Sequence, residues 1–361
     1  GLFNPETGER LGHTRNGAPP RYQDVFGETL LELARRDERI VGITPAMPTG
    51  CSLSIMMEQM PERCFDVGIA EGHAVTFSAG LAAQGLVPYC NIYSSFMQRA
   101  YDNVIHDVAL QGLHVVMCLD RAGLVGEDGA THHGVFDLAA MLPVPGLTIA
   151  SPMDEVELRN LMFTAASGEG PFVIRYPRGN GVTRDWRRPM ETLPLGRGRI
   201  LREGKDLALL TIGPAGNDAA WAAEQAAGEG ISVLHADLRF AKPLDEGLLH
   251  RIGREFRRVI TVEDGVVNGG VGAAVLAFMN RHGYPCRITM LGVEDRFVAH
   301  GTVAQLKEMC GYDAPGILRA IREAGAERLT SPIDGRVTEQ ADTADGPDTD
   351  CAVYPFRNGI K

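Results

Sequence analysis

Short apolar runs alternate with stretches of helical period along this chain, and that alternation restricts its fold more than any other feature. Runs at 39–43, 64–67, 87–92, 115–119 and 172–176 read as buried strands. Residues 24–36, 54–60, 70 onward, 95–110 and 155–166 read as helices. A strand followed by a helix, repeated, packs as parallel strands with helices on both faces, because each helix returns the chain to the sheet's starting edge. Residues 177–198 carry Pro, Gly and Arg with little apolar period, and then the order begins again. Strands are expected at 207–212, 232–236, 259–262 and 287–291, with helices near 215–227, 269–280 and 303–308. The expected class is α/β: two consecutive doubly wound domains with mainly parallel sheets, at 21–180 and 199–328, joined by a linker at 181–198. Residues 1–20 read as an extended lead-in, and the acidic, aperiodic 329–361 as a mobile tail.

A chain of 361 residues is long enough for two cores. Its net charge of −11 disfavours nucleic acid and anionic membrane as partners, since both repel an acidic surface. A phosphorylated substrate stays open, because it needs only a local pair of arginines. The seven cysteines include no C-x-x-C pair and several sit in apolar runs, which points to buried free thiols in a reducing cytoplasm. No apolar run approaches membrane-spanning length, and no signal peptide is visible.

Parallel sheets bind ligands beyond the carboxyl ends of their strands. Four segments fall there. In F-D-V-G-I-A-E-G-H-A-V, Gly68 breaks a strand and Glu71 enters the first turn of a helix. A carboxylate there complements the helix dipole, so spacing alone leaves a structural and a catalytic role both open. In I-Y-S-S-F-M-Q-R-A-Y-D, Tyr93, Ser94 and Phe96 fall where a strand turns into a helix, placed to line a crevice, though Phe96 and Tyr101 suit the core equally. In D-R-A-G-L-V-G-E-D-G-A-T-H-H-G, glycines at 123, 126, 129 and 134 permit backbone to approach a ligand. Asp128, His132 and His133 lack metal-ligand spacing, since adjacent histidines point apart and no third partner fits. In R-Y-P-R-G, Pro177 stops a strand ahead of Arg178.

Together and in this order, the four segments resemble the transketolase-like thiamine diphosphate enzymes, and among them the 1-deoxy-D-xylulose-5-phosphate synthases. The resemblance covers most of residues 20–325, with Gly72 standing where that family usually has Gln. It implies a pyrimidine-binding domain followed by a transketolase C-terminal domain. Glu71 is then the cofactor-activating carboxylate, with Tyr93 and Phe96 around the cofactor's aminopyrimidine ring. Tyr93, Arg99, Arg121, Asp128, His132 and Arg178 face substrate, Arg99 and Arg178 as paired phosphate ligands. His132 positions substrate or handles a proton, and His133 holds the loop.

The implied reaction joins pyruvate to D-glyceraldehyde 3-phosphate, giving 1-deoxy-D-xylulose 5-phosphate, a precursor of isoprenoids and thiamine, with loss of CO2. The resemblance assigns no catalysis to V-E-D-G-V-V-N-G-G-V-G or D-R-F-V-A-H-G, which serve packing and assembly. The family's G-D-G motif, which holds the diphosphate through Mg²⁺, is absent, so a separate domain or chain is expected to supply it. A homodimer, or an assembly with that domain, is the expected state, and the chain reads as the rear part of a longer protein or a split-gene product. Two other readings stay open: a β-type subunit of a 2-oxo-acid dehydrogenase or split transketolase, and an inactive fragment that only binds a partner.

Overall fold

The computed structural model describes residues 4, 6–8 and 17–326. The expected acidic tail and most of the expected lead-in lie outside the described residues.

The first sheet contains β1 (Ile40–Thr44), β2 (Cys64–Asp66), β3 (Val87–Tyr93), β4 (Val116–Asp120), β5 (Thr148–Ala150) and β6 (Phe172–Tyr176). The second contains β7 (Arg199–Arg202), β8 (Leu207–Thr211) and β9 (Val233–Asp237), followed after β10 (Phe240–Lys242) by β11 (Arg258–Val266) and β12 (Arg287–Val293). Spatial order is β10-β5-β6-β4-β3-β1-β2 in one sheet and β12-β11-β8-β9-β7 in the other. All pairings are parallel except β10 with β5 and β7 with β9. Strands buried along their whole length, such as I-V-G-I-T and V-M-C-L-D, need apolar cover on both faces, which the flanking helices supply.

β1 has β2 on one side and β3 on the other, so the connections reverse direction there and leave a crevice at the carboxyl ends. Register then aligns the edge: Tyr93 lies opposite Asp120, and Asp120 opposite Tyr176. The helix Glu71–Ala83 closes this side, burying Ala74, Val75, Ser78 and Ala79. Val41, Ile43, Cys90 and Ile92 belong to the same apolar cluster. Each full-size aliphatic side chain buried there contributes roughly 1.5–3 kcal/mol, and the small residues let the helix lie close.

One expectation requires correction. The helix expected at 95–110 is four short pieces: α-helix Ser94–Met97, a 3₁₀ turn Gln98–Ala100, α-helix Tyr101–Asn103 and a π-helix Val104–Ala109. A wide π turn within helical sequence frequently marks a functional site. The second sheet's chain also reaches back: β10 leaves the run of β9 and pairs antiparallel with β5, adding an edge strand to the first sheet.

Elements absent from the sequence reading are the three-residue strands β5 and β10, the edge strand β7, and helices Asp137–Met141, Glu246–Glu255 and Ala314–Ala326. Residues 177–198 have no helix or strand, yet Trp186 within them is among the largest buried side chains. Among the described residues, no helix is long and apolar enough to cross a membrane.

Candidate active site

Glu71 is delivered by a tight turn. Asp66 Oδ1 accepts hydrogen bonds from the amides of Ala46 at 2.7 Å and Gly68 at 3.0 Å. Gly68 takes φ +74°, where a side chain is strained. The helix then begins at Glu71, whose residue is only 4% exposed. Arg99 Nη1, in the 3₁₀ turn, donates to Glu71 Oε1 at 2.6 Å. Arg99 is itself 59% exposed along its side chain, so a buried acceptor is joined to a solvent-facing donor.

An aromatic stack continues from this pair. The Arg99 guanidinium lies 5.0 Å from the Phe96 ring centre. Phe96 stacks on Tyr93 at 5.5 Å and meets His132 edge-on at 5.3 Å. Arg121 covers the Tyr93 ring at 4.1 Å, a cation–π contact that fixes the ring. Burial pushes the Tyr93 phenol up to about 12.

Arg121 is committed to the protein. Its Nη1 donates to Gly50 O at 2.8 Å and Asp120 Oδ2 at 2.7 Å, and its Nη2 donates to Gln23 Oε1 at 3.2 Å. Burial pushes the Asp120 carboxyl up to about 6, against the pull of the adjacent Arg121.

Arg178 belongs to a separate ion pair. Its Nη1 donates to Asp128 Oδ2 at 2.7 Å and to Val125 O at 3.1 Å. The structure therefore unites Glu71, Tyr93, Phe96, Arg99, Arg121 and His132 in one chain of contacts, and places Arg178 with Asp128 in another. Arg99 and Arg178, expected as a phosphate-binding pair, each hold a carboxylate in this structure. His133 accepts from the Val125 amide at 3.1 Å through Nδ1, while its Nε2 lies 3.1 Å from Ala299 O, so it ties the loop down.

The glycines of that loop also bring other parts of the protein close. An added Cβ at Gly123 would fall 1.9 Å from Asp264 Oδ2, at Gly129 3.1 Å from His300 Cβ, and at Gly134 2.3 Å from Arg121 O. They admit other parts of the protein, mostly from the C-terminal half. Sequence reasoning passed over Asp120, Asp264 and Asn103. Asp120 was visible as a charge ending an apolar strand, whereas Asp264 and Asn103 gain their positions only from the tertiary fold.

A thiamine diphosphate ring end suits this donor set. Among the described residues Glu71 Oε2 has no hydrogen-bond partner, and the aromatic rings lie alongside the carboxylate's ion pair. Among the described residues there is no group of three His, Cys, Asp or Glu side chains that would hold a metal ion.

Comparison with known proteins agrees with this architecture. Residues 18–183 match the transketolase pyrimidine-binding domain and 196–317 the transketolase C-terminal domain. The 1-deoxy-D-xylulose-5-phosphate synthase of Bacteroides fragilis is 59% identical over 336 residues, covering 92% of this chain and 52% of the relative. The enzyme of the same name from Chlorobaculum tepidum is 47% identical, over 90% of this chain and 51% of the relative. The chain thus spans about half the length of the curated relatives it matches. A solved structure described as a split-gene transketolase, an inactive β4 tetramer, aligns with TM-score 0.76 and 29% identity, over 85% of this chain and 98% of that one. With both domains matched and more than half its residues shared with such a synthase, the chain belongs to the transketolase family, as a relative of the 1-deoxy-D-xylulose-5-phosphate synthases.

Proposed function

We propose that this chain supplies the pyrimidine-side half of a 1-deoxy-D-xylulose-5-phosphate synthase active site. The reaction is the condensation of pyruvate with D-glyceraldehyde 3-phosphate, releasing CO2. The observation that carries this reading is the buried Glu71 carboxylate, paired with Arg99 beside the Tyr93–Phe96 stack at the sheet's carboxyl edge. Thiamine diphosphate, when bound, supplies the electron sink for decarboxylation and carbon–carbon bond formation.

The chain's own residues do the rest. Glu71 would hold a ring nitrogen of the bound cofactor through its unpartnered oxygen and so fix where the ring's proton resides. Phe96 and Tyr93 would line the ring's binding space with apolar surface and exclude water. Arg99 and Arg178 exchange their carboxylate partners for the acceptor's phosphate, a trade of one charge-assisted bond for another. His132, edge-on to Phe96, stands to pass a proton to the acceptor's carbonyl oxygen. Arg121 and Asp128 act by holding Tyr93 and Arg178. The diphosphate and its Mg²⁺ would be held by a separate domain or chain. Self-association into a dimer fits the oligomeric structural neighbour.

The test is product formation from pyruvate and glyceraldehyde 3-phosphate with cofactor and Mg²⁺, by mass spectrometry, with a diphosphate-binding polypeptide added. Deoxyxylulose 5-phosphate supports the proposal. The split-gene transketolase likeness favours a second reading, a transketolase β chain. Turnover with a ketose phosphate donor and none with pyruvate would establish that reading instead.

A further inference from the structure

The C-terminal half meets the loop at 121–135 beside the candidate site, and it does so with a buried carboxylate. Asp264, near the end of β11 and 5% exposed, accepts at Oδ1 from the Leu124 amide at 3.1 Å and from Tyr312 Oη at 2.6 Å. Its main-chain oxygen accepts from Arg175 Nη2 at 2.8 Å, and Arg175 Nε donates to Asp137 Oδ2 at 2.9 Å. Gly123, at φ +76°, leaves the space that the Asp264 carboxylate fills. Two more bonds pin the same loop: the Val266 amide donates to Val135 O at 2.9 Å, and His133 Nε2 lies 3.1 Å from Ala299 O. Asp128 and His132 ride on the segment between these anchors. Residues 121–135 contain little regular structure of their own, one 3₁₀ turn at Gly129–Thr131, so their shape is set from outside.

We propose that Asp264 is a positioning residue for the active-site loop. Held by Tyr312, its carboxylate fixes the backbone at Leu124 and so the placement of Asp128, which holds Arg178, and of His132 before the substrate. The functional half of this statement rests on the reading of those two residues given above. The positional half stands on geometry alone, and its test needs no turnover.

A merely structural carboxylate would, when removed, loosen the whole domain. A positioning carboxylate loosens the loop first, and any group offering the same acceptor restores it. The experiment is hydrogen–deuterium exchange by mass spectrometry on the full chain, comparing wild type, Asp264→Ala, Asp264→Asn and Tyr312→Phe. In Asp264→Ala, peptides spanning 122–134 exchange about tenfold faster or more, the scale of a lost buried hydrogen bond. Peptides of β4 and β6 stay at wild-type rates. Asp264→Asn, which keeps an oxygen at Oδ1, stays within about threefold of wild type in the loop. Unchanged loop exchange in Asp264→Ala, equal acceleration throughout the domain, or failure of Asn to restore protection would overturn the proposal. If Asp264→Ala does not fold, Tyr312→Phe decides: faster exchange confined to the loop supports it, and no local change refutes it. Absence of synthase turnover, by contrast, would bear on the proposed function and leave these exchange rates as they are.

Discussion

Arg99 Nη1 reaches across 28 residues of chain to Glu71 Oε1 at 2.6 Å, joining the first turn of one helix to the 3₁₀ turn that interrupts another. One partner is buried and the other faces solvent. The carboxylate's position is thereby fixed by the fold, while the guanidinium can leave it for another anion.

Arg99→Ala should therefore act on the acceptor. Losing a charge-assisted bond costs roughly 1.5–3 kcal/mol, about tenfold to a hundredfold in use of glyceraldehyde 3-phosphate. Use of pyruvate should change by less than about threefold. Steady-state kinetics in the reconstituted enzyme, varying each substrate in turn, measures both. Equal losses for the two substrates would remove Arg99 from the phosphate.

Gly72 should prove coupled to Asn103. A Cβ at position 72 would lie 2.8 Å from Asn103 Oδ1. Asn103 Nδ2 donates to Thr76 Oγ1 at 3.0 Å and Asp107 Oδ2 at 3.1 Å, so it has little freedom to withdraw. Replacing a helical glycine by alanine is worth about 1 kcal/mol in helix propensity. In wild type the clash should cancel that gain. In an Asn103→Ala background, Gly72→Ala should stabilise by about 1 kcal/mol. A double-mutant cycle in urea measures the coupling, and additive effects would contradict it.

His235 should make the fold acid-sensitive. Burial, and after it the nearby Arg199, brings its imidazole down from 6.5 to about 4, with Nε2 3.0 Å from Thr211 Oγ1. The unfolded chain binds a proton below 6.5 that the folded one refuses until about 4. This contribution to stability is present above pH 6.5 and is lost as pH falls toward 4. Wild type should lose about 2 kcal/mol more than His235→Gln between pH 7.5 and about 5. Urea unfolding at the two pH values tests it. Asp120, Asp237 and Glu263, whose buried carboxyls are pushed up to about 6, 7 and 7, work in the opposite direction. They are common to both proteins and cancel in the comparison. Parallel pH dependence of the two would contradict the assignment.

The strand–helix order was readable because parallel strands carry their signal locally: V-M-C-L-D is apolar wherever it lies. Strands β5 and β10 were not readable, since three residues carry no period and their pairing joins segments about ninety residues apart. The continuous helix expected at 95–110 failed at a place where composition favours helix, and the 3₁₀ turn that interrupts it carries Arg99 to Glu71. Residues of the four segments were found at the sheet's edge because order along the chain fixes which strand ends they follow. Their partners were not, because Arg99–Glu71 and Arg178–Asp128 depend on rotamers and loop paths that sequence does not encode locally. Gly123 shows the limit most clearly: the sequence reveals a need for close approach, and only the fold reveals that the approaching group is Asp264.

Glu71 carries the central claim, and proton exchange at the thiazolium carbon of bound thiamine diphosphate tests it directly. Glu71→Gln preserves size and hydrogen-bonding capacity and removes the negative charge. A helix-dipole role alone is worth about 0.3–1 kcal/mol of stability and leaves exchange untouched. The measurement is quenched-flow NMR of the cofactor proton in reconstituted enzyme, wild type against Glu71→Gln, with folding checked by circular dichroism. The account predicts a folded variant whose exchange is slower by about two orders of magnitude or more. Exchange at the wild-type rate in folded Glu71→Gln would contradict it.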